Sequence, residues 1–474
     1  MTLVQNHPQP LNGNEISFIF YHIFFTSFFC IAQSDNVEFD PLVNYQVKKK
    51  ETLYSISKKF NVQIDDILLF NSELKNNKLK KNSIIIVPLK KKIVPDLNLK
   101  KIINTDSILE VNDLKVKKDY IKIAYLAPFK LKSIEIDSVD RVKTLLKEVN
   151  LTTISINFYN GILLAINELN KKKVNVDIDV FDTENNTNKV LSLRNNNDFE
   201  NYDLIIGPLI KRNFNAFNQK ELKTNSLSPL VYDGINLKSN TVIPEANNSL
   251  KRDKMFQIID SLILDTNDQC ALIISDSLNK YSRDKLIERF PLAEIIDLNK
   301  TNNSVDPKIT DSLMGVNKVN WVFLETKKPN LISSVTSLLN SQISAERKIK
   351  LFSTVSNENY DNPNISYEKL GNLSFMYPSN SAPKNSEDFI EFQNIYYDKF
   401  GKYPDKIAIN SYDLIKDLLY RISVSKSLKK SLEIGETKSI QNNFNYVLEG
   451  ENGIKNVSFF ILTHKDFDII EQEN

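Results

Sequence analysis

Few residues in this 474-residue chain are of the types that make and break bonds, and they are badly spaced for it. The three histidines are His7, His22 and His464; the two cysteines are Cys30 and Cys270. A histidine-based triad or a His/Cys zinc site would need partners that this spread does not supply. His464 reads as an exposed residue in a strand-like tail, and Cys270, in the apolar run QCALII, as a buried inert thiol. Neither G-x-x-x-x-G-K-[ST] nor G-x-G-x-x-G occurs, so no phosphate-cradling loop is encoded. Carboxylates are abundant, and hydrolysis by a carboxylate pair stays open on spacing alone. Pro128, Asp182, Thr183, Asp233, Asp276 and Glu325 stand at or just past the ends of predicted strands and are candidates by position to line a cleft. At the carboxyl ends of parallel strands such residues can hold a ligand; the competing reading is that Asp and Glu there cap the next helix or face water.

Two kinds of patterning position these residues. Between Tyr45 and Leu89 a short strand (Tyr45–Val47) enters a Lys-rich turn. Leu53, Ile56 and Phe60 then recur at helical spacing, as do Ile64, Ile67 and Leu68. Asn61 stands between the two predicted helices, where a left-handed cap is wanted. The β-branched run Ile84–Val87 follows, with Pro88 expected to end it because proline cannot extend a ladder. The order is β-α-α-β. From Tyr120 onward strands alternate with helices instead: strand Ile121–Phe129, helix Asn157–Asn170, strand Val176–Phe181, a helical segment near Asn188–Arg194, and strands at Tyr202–Ile206 and Leu230–Val231. Further strands are predicted at Cys270–Ile274, Glu294–Leu298, Trp321–Leu324 and Lys350–Ser353. This repetition predicts an α/β body with parallel sheets wrapped by helices.

The pieces YQVKKKETLYSISKKF, Asp65–Leu68, Asn71, Leu79 and IIIVP resemble the LysM module, which recognises N-acetylglucosamine polymers such as peptidoglycan. The resemblance implies a sugar groove formed by Lys50, Glu51, Thr52 and Leu53 on one side and Leu69, Phe70, Asn71 and Ser72 on the other. Lys50 and Ser72 stand where that family has Gly and Pro. The later pieces IKIAYLAPF, FYNGILLAINELN, DLIIGPL and, above all, Phe389–Ile422 resemble the type 1 periplasmic-binding-protein fold of Leu/Ile/Val receptors. That resemblance implies two Rossmann-like lobes joined by crossing strands. Receptors of this family hold the ligand with small hydroxyl residues after the third and fourth strands. Here those places read Gly207–Arg212 and Pro229–Gly234, without the serines and threonine. The stripe Phe392, Tyr396, Phe400 recurs every four residues and predicts a core-facing helix side, with Tyr412 and Asp413 as packing residues.

Lys and Arg number 61 against 59 Asp and Glu, a net charge of +2, which argues against nucleic acid as the main partner. The apolar stretch Ile16–Ala32 predicts a signal peptide with cleavage near Ala32–Ser34; lipid attachment at Cys30 is the alternative. The expected organisation is a leader at 1–33, a LysM domain at 43–90 and a tether at 91–118, with one short helix around Asp106–Leu114. The receptor-like body follows at 119–474, with lobe one at about 119–240 and 375–430, and lobe two at about 241–374 and 431–474. The expected function is that of a non-catalytic protein of the periplasm or cell envelope. It would bind peptidoglycan, with a small ligand or envelope protein at the body, no cofactor or metal, and no transmembrane span in the mature chain. The alternative is a solute receptor for an amino-acid or peptide transporter, retained at the wall.

Overall fold

The computed structural model describes residues 11–12, 39–49, 51–60, 62, 64–71, 74, 79–90, 115–135, 137–230, 234–262, 269–299, 304–355, 358–362, 364–383, 386–448 and 453–472. The leader Ile16–Ala32, Cys30, Asn61 and the helix expected at Asp106–Leu114 lie outside them. The chain divides into two compact units, one of residues 26–105 and 360–366, the other of 1–25, 106–359 and 367–474.

β1 (Leu11–Asn12) belongs to the larger unit, where it pairs antiparallel with Asp179 and Val180. The smaller unit follows the predicted order: β2 (Phe39–Gln46), α1 (Leu53–Phe60), α2 (Ile64–Phe70) and β3 (Ile84–Lys90). Val47, Ile56, Val62, Ile67, Ile85 and Val87 form its core. β3 does not stop at Pro88. Leu42 pairs with Pro88 and Phe39 with Lys90, across a register shift on β2. A two-stranded ribbon leaves one edge of each strand unpaired, so a proline that lacks a donor is tolerated there.

The larger unit is α/β. Its first part comprises β4 (Tyr120–Ala127), α3 (Val139–Lys147), α4 (Leu151–Lys171), β5 (Asn175–Asp182), α5 (Thr187–Asn196), β6 (Leu204–Ile206), α6 (Lys211–Phe217), β7 (Asn225–Leu227) and β8 (Thr241–Ile243). The chain continues through α7 (Asn248–Leu262), β9 (Gln269–Ser275), α8 (Lys280–Arg289), β10 (Glu294–Ile296), α9 (Pro307–Leu313), β11 (Val319–Glu325), α10 (Pro329–Ser341), β12 (Lys348–Phe352), α11 (Tyr367–Asn372) and β13 (Met376–Ser379). It ends with α12 (Glu387–Phe400), α13 (Lys406–Ser425), the short pair β14 (Thr437–Lys438) and β15 (Asn443–Phe444), then β16 (Tyr446–Leu448), β17 (Ile454–Asn456), β18 (Phe460–Lys465) and β19 (Asp468–Glu471).

These strands make two sheets, ordered β1-β5-β4-β6-β7-β8-β17-β16 and β10-β9-β11-β12-β13-β18-β19. Pairing from β5 through β17 in the first and from β10 through β13 in the second is parallel. β4 shows why the sequence specifies a doubly covered sheet. Ile121, Ile123, Tyr125 and Ala127 pack with α4, α12 and α13, while Ala124 and Leu126 face Val190 and Leu193 of α5 and Phe217 of α6. Both faces are apolar, hence a continuous apolar run in place of alternation. α4 begins six residues before its expected start, because Asn150 and Thr153 form a capping box and Thr152, Thr153 and Ser155 are buried. Gly161 brings α4 against α13: a Cβ there would lie 1.8 Å from Ser411 Oγ and 2.4 Å from the Ala408 carbonyl oxygen.

Sheet membership redraws the expected lobe limits. Thr241–Ile243, Tyr446–Leu448 and Ile454–Asn456 belong to the first sheet, and Met376–Ser379 with Phe460–Lys465 and Asp468–Glu471 to the second. The strands concerned, β8, β13, β16 and β17, have three or four residues, too few to show a period. The fourth strand also moves, from the predicted Leu230–Val231 to Asn225–Leu227. His464 is buried, at 1% exposure, among the rings of Tyr367, Phe375 and Tyr377. The residue predicted to be exposed from its late position in fact lies on a sheet strand buried on both faces. Among the described residues no single helix is long and apolar enough to cross a membrane.

Candidate functional site

Two places gather the residues singled out from the sequence. In the smaller unit, the turn between β2 and α1 is held by Glu51, whose carboxylate accepts both contacts of the Tyr45 hydroxyl (2.7 and 2.9 Å) and the Lys48 amide (2.7 Å). Thr52 starts α1: its hydroxyl accepts the Ser55 amide at 3.1 Å while its own amide donates to Ser55 Oγ at 2.9 Å. Leu53 is half-buried against the core. After α2, Asn71 is buried, and its side chain staples the helix end to β3. Nδ2 donates to the carbonyls of Ile67 (2.6 Å) and Ile86 (2.7 Å), and Oδ1 accepts the Ile86 amide at 2.8 Å.

The side chains of Glu51 and Asn71 thus hold the turn before α1 and the end of α2. Thr52 faces solvent and Phe70 is half-buried. Lys50 and Ser72 lie outside the described residues, as does the side chain of Leu69. The sequence reading passed over Tyr54, which is 62% exposed on the first turn of α1 beside this loop. Its signal was present: an aromatic residue off the Leu53, Ile56, Phe60 stripe must point outward.

In the larger unit the named residues lie at carboxyl ends of parallel strands. Asp182, after β5, accepts the amides of Lys130 (3.1 Å), Leu131 (2.8 Å) and Glu184 (2.8 Å). Asp276, after β9, accepts the amides of Leu278 (2.9 Å) and Asn279 (3.2 Å) and the Thr326 hydroxyl at 2.6 Å. Burial pushes the Asp276 carboxyl up, but the donors from Thr326, Asn279 and Leu278 outweigh it and hold the group below the usual carboxylate range. Asp276 caps the short turn that follows it, whereas Asp182 fastens the 130–131 turn and the helix after it is capped by Asn186. Pro128 and Thr183 are buried, with Thr183 Oγ1 unpartnered among the described residues; Asp233 lies outside them.

Glu325, at the end of β11, differs. It is fully buried, one oxygen accepts the Thr354 amide (2.7 Å) and hydroxyl (2.8 Å), and the other has no hydrogen-bond partner among the described residues. Burial raises its carboxyl to about 7, against the pull of the Thr354 donors and the Arg252 charge. Lys251 and Arg252, from the first turn of α7, are themselves buried. This polar floor can hold charge, yet its acid is sealed from solvent.

The shift of the fourth strand matters here. With β7 ending at Leu227, Ser228 follows it directly, buried and with its amide on the Val242 carbonyl (3.0 Å). A small hydroxyl therefore stands after the fourth strand, where the sequence reading, placing the strand later, found none. After the third strand the turn remains Gly207-Pro208-Leu209. The aromatic stripe is core as expected: Phe392 and Tyr396 are buried, and Tyr396 accepts the Asn160 amide at 3.1 Å.

Compared with known proteins, residues 45–88 match the family model of the LysM domain. No curated protein matches the chain. Among solved structures, a putative branched-chain amino acid ABC transporter protein from Rhodospirillum rubrum is similar with a TM-score of 0.52 at 10% identity, covering 74% of this chain and 100% of its own. The substrate-binding protein LivJ from Streptococcus pneumoniae, in complex with isoleucine, reaches 0.40 at 13% identity, covering 74% and 100%. The C-domain of LpoA from Haemophilus influenzae, a regulator of PBP1A, reaches 0.43 at 10% identity, covering 74% and 100%. The first of these exceeds 0.5, and at 10% identity it speaks to the fold alone. The chain thus carries a LysM domain followed by a body with the type 1 periplasmic-binding-protein fold.

Proposed function

We propose that this is a non-catalytic cell-envelope protein, exported by a leader at 1–33, which grips peptidoglycan or another N-acetylglucosamine polymer through residues 45–88. Its body then presents a receptor-like domain to a protein partner or a small ligand. The observation that carries the reading is the LysM match over 45–88 together with the β-α-α-β unit folded there. Acetamido groups call for backbone donors and acceptors and sugar faces for an apolar wall, which suits the turn held by Glu51 and the exposed ring of Tyr54 that follows it on α1. Wall attachment would raise the body's effective concentration for whatever works there. A protein partner is favoured over a small ligand because Asp182 and Asp276 are satisfied internally and Glu325 is sealed.

The test is retention of the purified chain on murein sacculi, with and without residues 45–88. Retention should fall on deletion; equal retention rejects the reading. Zymography on the same sacculi should show no clearing, and clearing would reject the non-catalytic part. A second reading, a solute receptor for an amino-acid or peptide transporter, is favoured by Ser228 after the fourth strand and by the fold likeness. A thermal shift of several degrees with free amino acids or small muropeptides would establish it.

A further inference from the structure

The chain passes between the two sheets three times: from β8 to α7 through Pro244–Asn247, from β13 to α12 after Ser379, and from β17 to β18 through Val457–Phe459. Connections of this kind are where two lobes hinge, because a few residues absorb the change in φ and ψ. Here they are tied together. Asn456, 4% exposed, donates from Nδ2 to the carbonyl oxygens of Pro244 and Asn443, both at 3.0 Å. Its Oδ1 accepts the amides of Asn445 (2.8 Å) and Ser458 (3.0 Å). One amide, with both donors and both lone pairs in use, thereby joins the first crossing, the third crossing and the segment after β15.

The turn between β14 and β15 reaches the second crossing as well. The Ala382 amide donates to the Gln441 carbonyl at 2.7 Å, and the Val457 amide to the Asn445 carbonyl at 2.8 Å. The Ser458 hydroxyl donates to Glu436 Oε1 at 2.6 Å. The β14–β15 pair at the centre is founded on α13. Buried Asp413 accepts the amides of Ile440 (3.1 Å), Gln441 (2.8 Å) and Asn442 (3.1 Å), and buried Arg421 donates to the carbonyls of Gly435 (2.9 Å) and Phe444 (2.8 Å).

We infer that Asn456 and the β14–β15 pair form a clasp that ties the three crossings into one unit, so that the crossings open together and not one by one. Opening any one crossing would break several of these bonds and leave buried donors and acceptors without partners. The inference rests on this geometry and stands whether or not residues 45–88 bind glycan.

Hydrogen–deuterium exchange on the full chain, read by peptide mass, tests it. In the wild type, peptides covering 380–383, 443–448 and 453–459 should exchange as slowly as those covering β4 and β11. Asn456→Ala should speed them at least ten-fold while β4 and β11 are unchanged. Asn456→Asp keeps the volume and both accepting contacts but removes both donors; it should speed the same peptides, and it decides the matter should the alanine variant fail to fold. Crossing peptides that exchange at loop rates in the wild type, or an aspartate variant indistinguishable from wild type, would overturn the clasp.

Discussion

Acid should destabilise the second sheet through His464, by an amount that the structure sets. The imidazole is 1% exposed, lies 5.3 to 5.8 Å from the ring centroids of Tyr367, Phe375 and Tyr377, and neither nitrogen has a hydrogen-bond partner among the described residues. Burial lowers its pKa from 6.5 to about 4. Because the folded value lies below the unfolded one, the unfolded chain binds the proton more tightly. The histidine's contribution is therefore intact above pH 6.5 and is lost as pH falls toward 4. A shift of about 2.5 units at 1.36 kcal/mol each gives a limit of about 3 kcal/mol. Glu325, raised to about 7, and Asp413, raised to about 6, act with the opposite sign in this window, since burial makes both easier to protonate in the folded chain. The readout must accordingly be a difference. His464→Leu and wild type would be unfolded in urea at pH 7, 6, 5 and 4, followed by the fluorescence of Trp321, the single tryptophan, which is buried in the same sheet. The stability of the variant relative to wild type should rise by about 3 kcal/mol between pH 7 and 4. A difference that stays flat across this range would refute the buried, neutral imidazole and the strand position that places it.

Four further outcomes follow from the same geometry. Glu325→Gln removes a carboxyl whose contribution is present below pH 4.5 and lost as pH rises through about 7; relative to wild type the variant should gain about 3 kcal/mol across that interval, read by the same titration. Gly161→Ala should destabilise the first lobe by about 1–3 kcal/mol, because the new methyl meets the Ala408 carbonyl and Ser411 Oγ and neither helix can yield cheaply; circular dichroism melts would check it. Arg421→Met leaves Asp417, fully buried and held by the Arg421 guanidinium at 2.8 Å, without its counter-charge, and should cost about 3–5 kcal/mol in the same melts. Tyr54→Ala should weaken binding of chitin oligomers by about three- to ten-fold in calorimetry while the β-α-α-β unit stays folded, since the ring is outside the core.

How much of this was legible beforehand depended on the length over which a pattern ran. The smaller unit could be read almost whole, because Leu53, Ile56 and Ile67 mark two helices at helical spacing and the β-branched run from Ile84 marks the closing strand. β4 and β9 were legible too, since strands buried on both faces give runs of five or more apolar residues, and β5, β11 and β12 carry shorter apolar or alternating stretches. The α/β architecture followed from the alternation of strands with helices, and the core-facing stripe of Phe392 and Tyr396 from its four-residue spacing. What the chain did not disclose were facts set by distant partners. β7, β8 and β17 are three-residue strands whose existence depends on the neighbours they pair with, so the fourth strand was misplaced and Ser228 overlooked. Asn71, Asp182 and Asp276 look like ligands by type, and the backbone amides that use up their oxygens become visible once the loops close around them. His464 resembled a tail residue until three rings surrounded it, and Asn456 gained its four partners from crossings up to 212 residues away in the chain. Periodicity is a local property and survives in one dimension; the filling of a donor or acceptor, and the loss of water around a charge, are decided where segments meet.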